Sequence, residues 1–116
     1  MTLSLVLAEI ADERLRQIAI EGYDPHHDDT HHHGELARHA AVLALYAALP
    51  DEQRADADSL GPVHYSAEEI WPWLPSEFKL APRRRDLVKA AALLLAEIER
   101  LDRAEAARQL QMDFNK

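Results

Sequence analysis

Residues 34–49 are apolar on nearly every side of the helix they would form, which constrains the fold more than any other stretch. Leu36, Ala40, Leu43 and Ala47 recur at three-to-four spacing, while Ala41, Val42, Leu45 and Leu49 cover most of the remainder. So little polar surface requires burial, either by neighbouring parts of the chain or by a second subunit. A homo-oligomer joined through this helix is therefore expected. Gly34 opens the segment and Pro50 closes it, in keeping with the residues that punctuate helices.

The rest of the chain also favours helices, because glycine is scarce and alanine, leucine, glutamate and arginine dominate. A first helix is expected from about residue 4 to residue 21, with Gly22 as its stop. Its apolar stripe would be Leu7, Ile10, Ala11, Leu15 and Ile18, interrupted by Arg14. Glu9, Glu13, Gln17 and Glu21 stand four apart and form a row along another face. Aligned carboxylates repel, so a partner is called for: the neighbouring Arg14 and Arg16, or a metal or basic ligand. Pro82-Arg83-Arg84-Arg85-Asp86 opens a last long helix, for which Leu87, Ala91, Leu94, Ile98 and Leu101 are the expected core stripe, widened by Val88 and Leu95. The expected fold is all-α: a single domain of residues 1–116, three long helices bundled, with one or two short helices in the 50–80 connection. Ser66-Ala67-Glu68-Glu69 reads as a capping box for one of these. Residues 104–116 are expected to be a helical extension or a frayed tail.

Charge and composition exclude several classes of function. With no cysteine, thiolate metal sites, disulfides and cysteine nucleophiles are absent. A net charge of −8 argues against general nucleic-acid binding, since no basic excess exists to displace counterions. The apolar opening, residues 2–8, lacks a basic start and runs into Glu9, Asp12 and Glu13, so neither a signal peptide nor a membrane span is expected. A cytoplasmic location is the corresponding expectation.

The chemistry-bearing stretch is His26-His27-Asp28-Asp29-Thr30-His31-His32-His33, which holds five of the seven histidines. Imidazole and carboxylate donors suit divalent metals: Mg²⁺ or Mn²⁺ on the carboxylates, Zn²⁺ or Ni²⁺ through the histidines. The candidate metal ligands are Glu21, His27, Asp28, Asp29, His31 and Asp86, with Glu21, Asp28 and Asp29 also the candidate catalytic groups. Alternatively, Asp28 or Asp29 caps the following helix. His26, His32 and His33 read as exposed bystanders, and His39 as a structural histidine within reach of Glu35. Trp71-Pro72-Trp73 could form a stacking wall for a ring or plug the end of the core. Arg84 and Arg85, at a helix start where cations oppose the dipole, fit either an anionic ligand or pairing with the chain's own carboxylates. Asp86 and Lys89 share a face that fits either a ligand site or plain helix surface. Gln17, Arg84, Arg85, Lys89, Trp71, Trp73 and Lys79 are the candidate ligand-binding residues.

Several stretches together resemble a family of small uncharacterised phage and prophage proteins. They are Glu13-Arg14-Leu15-Arg16-Gln17-Ile18-Ala19-Ile20-Glu21-Gly22-Tyr23, His27-Asp28-Asp29-Thr30-His31, Gly34-Glu35-Leu36-Ala37, Trp71-Pro72-Trp73 with Phe78-Lys79, and Arg84-Arg85-Asp86-Leu87-Val88-Lys89-Ala90 leading to Ala96-Glu97-Ile98-Glu99-Arg100-Leu101. His39, Leu80 and the tail beyond Arg103 depart from that pattern. More distantly, helix-borne carboxylates and the Gly34-Glu35-Leu36 helix opening resemble the MazG-type all-α nucleotide pyrophosphohydrolases, although the ExxE and ExxD signature is not cleanly present. That resemblance implies Mg²⁺-dependent hydrolysis of a nucleoside triphosphate. A metal-dependent nucleotide phosphohydrolase is thus the first functional expectation. The second is a non-catalytic phage-type protein that binds a nucleotide or a host protein, and the third is a structural helical oligomer.

Overall fold

The computed structural model describes residues 2–116, which form helices α1 (Leu3–Ala19), α2 (Pro25–Asp29), α3 (Glu35–Ala47), α4 (Asp51–Ala55), α5 (Ala57–Leu60), α6 (Ala67–Ile70) and α7 (Arg83–Phe114). Single 3-10 turns lie at His64–Ser66 and Pro75–Glu77. No strand occurs among the described residues, and none of their helices is long and apolar enough to cross a membrane. The fold is all-α with three long helices, as expected. The 50–80 connection is divided more finely than expected, and the His/Asp stretch forms a short helix of its own.

Helix α3 runs antiparallel to α7, and the two supply the core. Leu36, Ala40 and Leu43 pack against Ala90, Leu93 and Ala96. Three of these six are alanine, which lets the helix backbones approach closely. The opposite flank of α3, Val42, Tyr46 and Leu49, packs against Ala57, Ala67 and Trp71 from the connection. The large apolar side chains of α3 are thus covered within the chain, and Ala41, Ala44 and Ala48 are left exposed. An oligomer joined through residues 34–49 would have only these small side chains to work with.

Arg54 fastens the connection to both long helices. It donates to Tyr46 O at 2.7 Å, to Ala81 O at 2.8 Å and to Asp86 Oδ2 at 3.3 Å. Asp86, fully buried, also accepts the Ala81 N–H at 3.0 Å. A carboxylate in the first turn of α7 suits the helix dipole there.

Two helices depart from the expected patterning. In α1 the buried side chains are Glu13, Arg14 and Gln17, while Leu7 and Leu15 face outward. In α7 the buried apolar residues are Val88, Ala90, Ala92, Leu93 and Ala96, while Leu87, Leu94, Leu95, Ile98 and Leu101 stand half-exposed. The expected α7 stripe is therefore the outer one. Beyond Arg103 the helix continues to Phe114 with every side chain exposed, an extension rather than a frayed end.

Candidate functional site

A pocket of about 620 Å³ opens between α1, the start of α2, the α3–α7 pair and the segment from Trp71 to Lys79. That volume falls within the range of small-molecule sites. One wall is the polar row of α1, Glu13 and Gln17, carried past the end of the helix by Glu21 and joined by Arg16. Arg16 binds Glu13 Oε1 at 2.8 Å and Glu21 Oε1 at 2.9 Å, and Arg85 also donates to Glu13. Burial raises the Glu13 carboxyl pKa, but the hydrogen bonds from Arg16 and Arg85 outweigh it and hold the group below its ordinary value. The compensation sought for the carboxylate row comes from the chain's own arginines.

Gln17 is the unsatisfied member of this wall. Its Nε2 donates to Glu13 Oε2 and to Lys89 O, each at 3.3 Å. Its Oε1 is buried with no hydrogen-bond partner, and the residue is only 3% exposed. An unpaired buried carbonyl oxygen costs on the order of 1–3 kcal/mol, so it awaits a donor. The Gly22 turn, at φ +76°, lets Tyr23 N–H reach back to Gln17 O at 2.9 Å and sets the Tyr23 ring at the pocket's edge.

From that ring an arc of aromatic contacts passes around the site. Tyr23 stacks on His27 with centroids 4.4 Å apart, His27 meets His31 at 4.5 Å, and His31 meets the edge of Trp73 at 5.0 Å. Trp73 Nε1 donates to His39 Nδ1 at 3.1 Å, and His39 meets the edge of Trp71 at 4.9 Å. Burial, assisted by the charge of Lys89, pushes the His39 pKa down to about 4. His39 is therefore neutral at physiological pH with Nδ1 as its acceptor, and Glu35 pairs with His31 instead, at 3.2 Å. Lys79 and Lys89 complete the lining with Ser76 and Glu77. Trp71 belongs to the core beneath the connection, and both tryptophans line the pocket.

The expected site residues separate into two groups. Gln17, Glu21, His27, Trp71, Trp73, Lys79 and Lys89 line this one pocket. Asp28, Asp29, His31, Asp86, Arg84 and Arg85 do not. Asp28 is fully buried behind His27, held by Arg14 Nη2 at 2.8 Å and by His27 Nδ1 at 3.0 Å. Asp29 points the other way and pairs with Arg103 at 2.8 Å. Neither caps a helix: Asp24 caps α2 by accepting the His27 N–H at 2.9 Å. Arg84 pairs with Glu9 and Arg85 with Glu13, so the arginines at the start of α7 take the intramolecular alternative. Among the described residues no three His, Asp or Glu side chains are placed to hold one metal ion; His27 has Asp28 and His31 beside it, but Asp29 and Asp86 are paired elsewhere, with Arg103 and Arg54. Ser66, in the left-handed region at φ 57°, makes no side-chain cap for α6.

Glu13, Tyr23, His39, Ser76 and Glu77 were absent from the expected site. The four-residue spacing of Glu13, Gln17 and Glu21 was the signal for the first of these; Ser76 and Glu77 reach the pocket through a turn that periodicity does not register. Comparison with family models, curated proteins and solved structures finds no match.

Proposed function

We propose that this protein binds a small nucleotide-class molecule, a nucleoside or nucleoside monophosphate, in the pocket between α1 and the Trp71–Lys79 segment. The observation that carries the reading is the orphaned Oε1 of Gln17, a buried acceptor suited to an N–H of a heterocycle. The aromatic sides contributed by Trp73, Tyr23 and His27 offer faces and edges to a planar ring. Lys79 and Lys89 supply cations for an anionic substituent, and neither is paired with a carboxylate among the described residues. Three carboxylates balance the three cations of the lining, which favours a ligand of low charge over a triphosphate.

The test is thermal denaturation and calorimetry with a panel of nucleosides, monophosphates and triphosphates. A ligand present at about 100 times its Kd stabilises the fold by about 2.7 kcal/mol, which is readily seen as a raised Tm. Gln17→Leu removes the acceptor while keeping the bulk. It should weaken the ligand by roughly tenfold or more, while the free protein keeps or gains stability. Absence of stabilisation across the panel, or unchanged affinity in Gln17→Leu, refutes the proposal.

Hydrolysis of the bound nucleotide is the second reading, favoured by His27. Asp28 engages its Nδ1 and is itself fixed by Arg14, which selects the tautomer that leaves Nε2 as a base beside the pocket. In this reading His27 Nε2 takes a proton from water as the water oxygen bonds to phosphorus, the existing P–O bond to the leaving oxygen breaks, and that oxygen departs with the electron pair and receives the proton. Phosphate release from a panel of nucleoside monophosphates, with dNTPs alongside and with or without Mg²⁺, Mn²⁺ or Zn²⁺, abolished by His27→Gln with binding retained, would support it over binding alone.

A further inference from the structure

We propose that α7 pairs with α7 of a second copy of this chain, antiparallel, through its outer apolar seam. Leu87, Ala91, Leu94, Ile98 and Leu101 follow one another at intervals of four, three, four and three residues, the repeat that keeps one stripe facing a partner helix. The four large members are 47, 47, 55 and 52% exposed, and Leu95 beside them is 41% exposed. Nothing in the fold needs this stripe outside: α3 is covered by the opposite side of α7, whose buried apolar residues are mostly alanine. Five half-exposed aliphatic side chains in about four helical turns amount to a contiguous apolar patch at the upper end of what monomers show, roughly 300–600 Å². With flanking polar side chains, the surface that each copy would bury approaches the roughly 800 Å² per partner of a stable interface.

Charge and side-chain size favour a second copy and fix its direction. Arg84 and Asp102 are eighteen residues apart, five turns of helix, and so stand on the same side of the seam at its two ends. Arg84 binds Glu9 and remains 56% exposed as a side chain. An antiparallel pair centred between Ala91 and Leu94 sets Leu94 against the partner's Ala91 and Leu87 against the partner's Ile98. The same register brings Arg84 beside the partner's Asp102, so opposite charges meet at both edges. A parallel pair would set Arg84 on Arg84 and Asp102 on Asp102. The pocket lies away from this seam, so the inference does not rest on the ligand reading.

Sedimentation equilibrium of the full chain, across micromolar to millimolar concentration, should give twice the chain mass. Leu94→Glu should weaken the dimer by about a hundredfold, since it buries an unpaired charge, while helicity by circular dichroism stays unchanged because the position is outside the core. The chain lacks cysteine, so single-cysteine variants report direction cleanly. Oxidation of mixed Leu87→Cys and Ile98→Cys variants should cross-link the two to each other, and each variant alone should cross-link poorly. A monomer at every concentration overturns the proposal. So does a dimer insensitive to Leu94→Glu, or cross-linking of each variant to itself in preference to the other.

Discussion

His39 ties the stability of the pocket to pH in a way that can be worked through. It accepts the Trp73 indole N–H at Nδ1, and burial lowers its pKa from 6.5 to about 4. An unfolded chain takes up a proton at this residue near pH 6.5, whereas the folded chain resists until about pH 4. The unfolded state therefore binds more protons between these values, and stability falls as the solution is acidified. The contribution is fully present above pH 6.5 and is lost progressively as pH drops toward 4. Between pH 7 and pH 5 the loss from this one group is about 2 kcal/mol, at roughly 1.4 kcal/mol per pKa unit. The assay is urea denaturation at pH 7, 6 and 5, followed by circular dichroism and tryptophan fluorescence. Comparison with His39→Gln isolates the effect, since the amide oxygen can still accept the indole N–H but does not titrate. The wild type should lose about 2 kcal/mol more than the variant over this interval. Equal losses in the two proteins would refute the assignment of a buried neutral histidine.

The aspartates of the His/Asp stretch should behave in opposite ways. Asp28→Ala removes the buried carboxylate partner of the Arg14 guanidinium, leaving it Glu99 and the Tyr23 carbonyl, and should destabilise the fold by about 3 kcal/mol, whereas Asp29→Ala breaks only an exposed pair with Arg103 and should change stability by less than about 1 kcal/mol in chemical denaturation. Asp86→Ala should resemble Asp28→Ala in size, because Arg54 and the Ala81 N–H both lose a buried acceptor; a mild effect would remove its role as an internal staple. Ending the chain after Arg103 should leave urea stability within about 1 kcal/mol, as the removed side chains are all exposed surface.

Helix content and the burial of Leu36, Ala40, Leu43 and Ala47 were legible because an all-round apolar helix has no other stable environment. The faces of α1 and α7 were not. Periodicity locates apolar stripes but is blind to which stripe permits close backbone approach. Here Ala90, Ala92 and Ala96 take the interior and the leucines stay outside. In α1 the buried Glu13, Arg14 and Gln17 depend on arginines and carboxylates far along the chain, at Arg85, Asp28 and Glu99. Local patterning carries no trace of such partners. Of the site, the α1 row, the tryptophans and the two lysines could be found from residue type. The convergence of His27 without Asp28 or Asp29 could not, because a single helical turn sends adjacent side chains to different sides.

The polar interior of α1 has a bearing on how the molecule comes apart. None of its apolar side chains is fully buried, and its contacts with α7 run through Glu9–Arg84, Glu13–Arg85 and Arg14–Glu99. Such pairs weaken as ionic strength rises, while the alanine-rich α3–α7 seam does not. Hydrogen exchange in concentrated salt should therefore loosen the amides of α1 ahead of those in α3. The ligand cavity would lose its Gln17 side first, with the remaining helices still folded around one another.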